Sequence, residues 1–176
     1  MASIYNTNPH NSSTSYKKHD FVEDASVNGR YWYAIQDNSN QTPSVANATN
    51  WGGNIEVTID GTTTTEPYFF WSPSYNVSTS HAPKILSIRY GDGYEVRSKD
   101  GINNDLLSLS LSFDSRSEKE AAAILHFLHQ RSGQSVFYFK TPAPYSMIKK
   151  FVCKEFNSAM VFADNYNIRC SLQEVS

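Results

Sequence analysis

"LLSLSLSFDSRSEKEAAAILHFLHQRSG", residues 106–133, holds the two strongest structural signals of the chain side by side. In its opening part apolar residues alternate with serine. Leu107, Leu109, Leu111 and Phe113 fall on one face of an extended strand, and Ser108, Ser110 and Ser112 on the other. Such a strand has one face in a core and one that meets water or a neighbouring subunit. The period then changes. Ser117 and Glu120 form an S-x-x-E capping box, and Ala121, Ile124, Leu125 and Leu128 make an apolar stripe at helical spacing. Gly133 is placed to end the segment, so the spacing predicts a helix over residues 118–132.

Strand signals lie on both sides of this unit. "GNIEVTI" (53–59), "YFFW" (68–71) and "KILSIRY" (84–90) precede it; "SVFYFK" (135–140), "KKFVCKEF" (149–156) and "NIRCSLQEV" (167–175) follow. The fold class is therefore mainly β, an α+β arrangement with one helix laid on antiparallel sheet. The organisation reads as four parts. Residues 1–15, rich in Asn, Ser and Thr, form a flexible arm; 16–57 a small β domain; 58–67 a linker; 68–176 the main domain.

The chain has 176 residues and a net charge of −2. That balance argues against sequence-specific nucleic-acid binding, which needs a basic surface. Charged residues make up 18% and aromatic residues 14%; a surface low in charge and rich in aromatics is suited to meeting a sugar or another protein. There is no run of apolar residues long enough to span a membrane and no apolar leader, so assembly in the cytoplasm is expected. Cys153 and Cys170 are expected as reduced, half-buried thiols, with a disulfide open to them only if their strands are neighbours.

No catalytic constellation assembles. His126 and His129 share a helix face, but "HFLH" lacks the glutamate of a zincin helix, and both are expected at the surface or an interface. Asp92, Asp100 and Asp105 lack calcium-loop spacing, and "GDG" (91–93) is followed by strand-like rather than helical sequence, unlike a phosphate loop. Asp-Gly pairs of this kind turn hairpins. Neither an enzyme activity, a metal nor a cofactor is expected.

The order of motifs over residues 70–176 resembles the phage minor tail protein M family. "FFWSPS", "HAPKILSIRYGDGYEVR", "DGINND", an alternating strand, a capped helix ending in Gly133, "SVFYFKTPAPY", "IKKFVCKEF" and "CSLQEV" follow one another as in that family. The resemblance implies a tail-tube-like β-barrel or sandwich with a helix on its flank. It implies a virion protein of the tail tip, assembled in the host cytoplasm. Copies would close a ring, hexameric in this reading, between the tail tube protein and the distal tail or hub protein, with the tape measure protein in its lumen. Tail fibre or collar proteins are further partners. Within "RYGDGY", Gly91 and Gly93 are expected to supply positive φ, and Arg89, Tyr90, Asp92 and Tyr94, with Asn103, are candidate inter-subunit contacts.

Residues 16–57 resemble a type 5/12 carbohydrate-binding module through Tyr16, Asp20 to Val22, Gly29 to Ala34, Asn38, Pro43 and Trp51. That resemblance implies a second role, an adhesin taking a cell-surface glycan by aromatic stacking. Tyr31, Trp32, Tyr33 and Trp51 are the candidate stacking residues, with at least one face of that strand expected in a core.

Overall fold

A computed structural model describes residues 7–175. In chain order the elements are β1 (Ser15–Tyr16), β2 (Phe21–Glu23), β3 (Tyr31–Ala34), β4 (Asn38–Ser39), a short 3-10 turn (Val45–Asn47), β5 (Trp51–Gly52), β6 (Asn54–Ile59), β7 (Thr62–Phe69), β8 (Ser78–His81), β9 (Ile85–Arg89) and β10 (Glu95–Lys99). Then come β11 (Leu107–Arg116), α1 (Glu118–Arg131), β12 (Phe137–Lys140), β13 (Ile148–Phe162) and β14 (Asn165–Glu174). The protein is mainly β with one flanking helix, as the sequence predicts.

Seven strands form the main sheet in the order β6-β7-β12-β13-β14-β11-β8, antiparallel throughout except where β12 runs parallel to β7. β2-β3-β5 make a small sheet, and β9-β10 and β1-β4 are separate pairs. The main sheet has free ends at β6 and β8, so of the two forms the resemblance implies, barrel or sandwich, it does not take the closed barrel. The reason is what covers its apolar face. Leu107, Leu109, Leu111, Phe113, Phe137, Phe139, Phe151, Ile168 and Leu172 share one buried cluster with Ala121, Ile124, Phe127 and Leu128 of α1 and with Tyr31, Tyr33, Phe69 and Trp71. A helix and an aromatic layer already take this face from water, so the sheet need not curl on itself to bury it.

α1 starts as predicted. Ser117 is the N-cap and its hydroxyl accepts from the Glu120 amide at 3.4 Å. The Asp164 carboxylate also accepts from the Glu118 amide at 2.7 Å, so the β13–β14 turn helps to cap the helix. Glu120 does not complete a capping box; its carboxylate takes Arg116 at 2.8 Å. The helix ends on two left-handed residues, Ser132 (φ 49) and Gly133 (φ 71), with Ser132 as the cap.

Three expectations are corrected. Residues 58–67 are no linker: β6 and β7 pair antiparallel from Asn54↔Pro67 to Ile59↔Thr62, around a turn in which Asp60 (φ 49) and Gly61 (φ 77) are both left-handed. Two positive φ angles in succession define the tight turn that matches strand twist. The part read as a separate domain, residues 16–57, shares the main core through Tyr31 and Tyr33 and keeps only a small cluster of its own, Val22, Trp32, Ala34 and Trp51. A unit this small gains burial by packing on its neighbour. The expected arm, residues 1–15, lies outside the described residues over 1–6; beyond them, chain pairing begins at once, with Glu23 donating to Asn8 at 3.2 Å and His10 to Glu23 at 3.1 Å.

Candidate functional site

The motif "RYGDGY" builds the tip of a two-stranded ribbon. β9 and β10 pair only with each other, from Lys99↔Ile85 to Glu95↔Arg89. At the tip the Tyr90 amide donates to the Tyr94 carbonyl at 2.8 Å, and the Gly93 amide to the Tyr90 carbonyl at 3.1 Å. Asp92 accepts from the Tyr94 amide at 3.1 Å. This is a three-residue hairpin loop whose last residue is left-handed, and Gly93 fills that position with φ 86. The sequence expectation for Gly91 is corrected: only Gly93 has positive φ, because the first two loop residues of such a turn lie in the ordinary helical region.

Cross-strand register sorts the ribbon's side chains. Ile88 faces Val96 and Leu86 faces Ser98, so Leu86, Ile88 and Val96 share one face. Tyr90 and Tyr94 extend the ribbon at its tip with their rings 6.0 Å apart. These five side chains are between 39% and 63% exposed. The opposite face carries Arg89, Glu95 and Arg97, with Glu95 held 3.6 Å from Arg89 and 3.0 Å from Arg97. The ribbon is therefore amphipathic, and its apolar face lies open. An isolated two-stranded ribbon is marginal in water, and a contiguous open apolar face marks an interaction surface.

The structure brings Arg89, Tyr90, Asp92 and Tyr94 together at the tip. Asn103 is apart from them, exposed in the loop at the base, where Lys84 donates to the Asn104 carbonyl at 2.7 Å and accepts from the Asp100 amide at 3.1 Å. Sequence reasoning missed Leu86, Ile88 and Val96, although the run "KILSIRY" contained the alternation that places two of them on one face. It also missed a second exposed apolar group, Met160, Val161 and Phe162 at the far end of β13.

The sugar-stacking candidates are corrected as a set. Tyr31, Trp32, Tyr33 and Trp51 are all buried. Trp32 donates its indole N–H to Asp24 at 2.9 Å and Trp51 to the Gln41 carbonyl at 2.9 Å. Both faces of β3 are covered: Tyr31 and Tyr33 point to α1, while Trp32 packs with Val22 and Trp51. None offers a ring face to a ligand. Tyr31 and Tyr33 join the N-terminal segment to the helix, and Trp32 and Trp51 build that segment's own small core.

That joint centres on His126, expected near a surface and found fully buried. Its Nδ1 is 2.8 Å from the Tyr33 hydroxyl and its Nε2 is 3.3 Å from the Gln130 amide. Phe21 stacks on the ring at 4.3 Å and Tyr31 meets it edge-on at 4.7 Å. Burial, with help from Arg131 and His129, pushes the imidazole down to about 4, so the ring is neutral near pH 7. Polar contacts reinforce the joint outside it, with Lys119 2.9 Å from Asp20. His129 is exposed, against the edge of Phe156 at 4.9 Å.

His81 makes the nearest thing to a proton relay. Its Nδ1 is 3.1 Å from Asp105 and its Nε2 is 3.0 Å from the Tyr145 hydroxyl. All three side chains are exposed, and the chain of contacts ties the sheet's edge strand β8 to the 141–147 loop. Among the described residues no three His, Cys, Asp or Glu side chains gather closely enough to hold a metal ion, and no helix is long and apolar enough to cross a membrane.

With this geometry in view, the relatives are informative. The family model described as "Phage minor tail protein" matches residues 67–176. The chain is 28% identical over 90 residues to the tail tip protein M of Escherichia phage lambda, an alignment covering 51% of this chain and 81% of that protein. Among solved structures, a chain from the tail of an empty GTA particle aligns over 69% of this chain and 89% of its own length, with a TM-score of 0.42 and 12% identity. The family match takes in the ribbon, the helix and the strands from the end of β7 onward, well over half of the sequence, and this chain belongs to the phage minor tail protein family.

Proposed function

We propose that this protein is a structural component of the distal end of a long non-contractile phage tail, where copies close into a ring that joins the tail tube to the distal tail or hub proteins. Family membership supports a structural place in the tail, and the similarity to a tail tip protein supports the distal end. The observation that carries the reading is the ribbon, whose apolar face of Leu86, Ile88, Val96, Tyr90 and Tyr94 is left exposed by the described residues. A closed ring supplies one on every neighbour, because a heterologous contact repeated by rotation leaves no surface unmatched. Arg89, Asp92 and Asn103 would add polar contacts at the edge of that patch. Six copies, with the tape measure protein in the channel, is the arrangement the family resemblance implies. The N-terminal segment, outside the family match, would decorate the particle. Assembly would take place in the host cytoplasm.

Electron cryo-microscopy of purified virions tests this. The expected map shows a ring at the tail tip in which each ribbon is buried against a neighbouring copy or the adjoining protein. A ribbon pointing into solvent, or the chain located on a fibre or missing from the particle, overturns the proposal.

A further inference from the structure

We propose that the apolar face of the β9–β10 ribbon docks on the tip of the β13–β14 hairpin of a second copy of this chain, so that copies join head to tail. The inference rests on the ring reading above and names the surface that receives the ribbon. That surface is Met160, Val161 and Phe162, three consecutive apolar residues between 57% and 64% exposed. They close β13, where Met160 pairs with Tyr166 and Phe162 with Asn165 across a bulge. Successive strand residues point to opposite faces, so three in a row make the hairpin tip apolar on both sides. A tip of this kind can wedge against a flat apolar ribbon, and exposed apolar groups of this size mark interaction sites.

Strand register places the two surfaces at opposite ends of the main sheet. β8 pairs with β11 from Leu107↔His81 to Ser110↔Ser78, and the ribbon is the chain between them. It therefore leaves the sheet where β8 stops and β11 starts. β11 then pairs with β14 from Ser108↔Gln173 to Arg116↔Tyr166, so the β13–β14 turn lies at the other end of β11. β11 is ten residues long, which at about 3.3 Å per residue puts about 33 Å between the ends. The ribbon and the tip are thus different surfaces, facing away from each other on one copy. A head-to-tail contact needs such a pair, because each copy must give one surface and receive on the other. Ribbon against ribbon would stop at a two-fold dimer.

Charge around the two patches is complementary. Residues 84–99 carry four basic side chains, Lys84, Arg89, Arg97 and Lys99, against two acidic ones, Asp92 and Glu95, in a chain whose net charge is −2. Glu95 is shared between Arg89 at 3.6 Å and Arg97 at 3.0 Å, so one carboxylate serves two guanidinium groups, which are 81% and 68% exposed. At the tip the balance is reversed. The nearby cations are taken within the chain, Arg116 by Glu120 at 2.8 Å and Lys119 by Asp20 at 2.9 Å. Asp114, Glu118 and Asp164 enter no ion pair among the described residues, and Asp164 sits in the turn itself, accepting from the Glu118 amide. An apolar centre with a basic rim on one side and an acidic rim on the other fixes both the partner and its orientation.

The test is cysteine cross-linking in assembled particles. Phage is grown with Ile88→Cys and Val161→Cys together in the full chain, and purified particles are treated with a short bis-maleimide. The native thiols Cys153 and Cys170 are buried, so wild-type particles should give no product. The expected result for the double variant is a ladder of covalent multiples of this chain on a denaturing gel, with a peptide joining positions 88 and 161. Either single variant should stay monomeric. Val96→Cys with Met160→Cys repeats the test with a second pair. A ladder from a single variant, a link within one chain, or no ladder from either double variant overturns the pairing. A lysine-reactive cross-linker on wild-type particles tells this failure from that of the ring reading. Multiples of the chain with lysine chemistry but not with the cysteine pairs leave the ring standing and remove the pairing; no multiples with either remove both.

Discussion

Protonating His126 should unfasten the N-terminal segment from the helix. The ring is fully buried among Phe21, Tyr31 and Tyr33, with Tyr33 at Nδ1 and Gln130 at Nε2. In either neutral tautomer one nitrogen accepts a hydrogen bond; a second proton removes that acceptor and places a charge in an apolar layer. The folded-state value lies at about 4, against 6.5 for a free imidazole. Between those two values the unfolded chain binds the proton and the folded chain does not. Stability from this group is therefore complete above 6.5 and falls as pH drops towards 4. At about 1.4 kcal/mol per pH unit the loss across the window is about 3 kcal/mol. His19 is also lowered, by burial, and contributes in the same direction. Carboxylates held low by their partners, such as Asp37 beside Lys17, act only further down, below 3.8. Urea unfolding followed by fluorescence of the buried tryptophans, at several pH values across this window, measures the slope. In His126→Gln most of that slope should vanish while stability near pH 7 drops by about 1–3 kcal/mol from imperfect pairing of Tyr33. An unchanged pH slope in the variant, or a wild type equally stable at both ends of the window, would refute the reasoning.

The other tests concern the ribbon, the turns and the helix cap. Ile88→Asp with Tyr94→Ala should abolish tail assembly, seen by electron microscopy of lysates, while thermal unfolding of the isolated chain shifts by less than about 0.5 kcal/mol, because these side chains are exposed. Gly53→Ala should be far costlier than Gly93→Ala, though both positions have positive φ: a Cβ at 53 would sit 2.6 Å from the Tyr33 ring, whereas one at 93 meets nothing within 4 Å. Denaturant titration should give about 1 kcal/mol for residue 93, and several times that for residue 53, since the Tyr33 ring must shift. Ser117→Ala should cost about 1 kcal/mol by the same assay, softened by the second cap from Asp164.

Much of the central unit was legible. The alternation from Leu107 to Phe113 placed its apolar face in the core with no error, and the cap at Ser117 fixed where α1 starts. The helix's other side was not legible. The stripe through Ala121, Ile124, Leu125 and Leu128 describes one face, of which Leu125 is only half-buried, but Ala123, His126 and Phe127 are buried too, because a second layer packs there. Nothing in the helix announces that layer, and a histidine reads as polar until its partner Tyr33, far away in sequence, is in place. The Asp60-Gly61 hairpin was visible in principle: Asp-Gly between β-branched residues is a turn signal, obscured by the run of threonines around it. Aromatic density in residues 31–33 fitted a binding strand as well as a core strand, and only the cover on both sides decides between them.

The aromatic side chains thus divide by where their partners are. Tyr33, Trp71 and Phe127 find theirs within the chain: Trp71 meets the edge of Tyr33 at 5.0 Å and that of Phe127 at 5.9 Å. Tyr90 and Tyr94 meet each other and, among the described residues, no other ring. The first group binds a segment outside the family match to the family's own helix and sheet, so the extension is built into the core and its loss would expose Phe69, Trp71 and Phe127. The second group contributes nothing to that core. If the ribbon is the assembly surface proposed above, folding and assembly draw on different residues and respond to different perturbations: acid or a change at His126 should weaken the fold and leave the ribbon's chemistry intact, while a charge placed on the ribbon should leave the fold intact and remove the proposed contact surface.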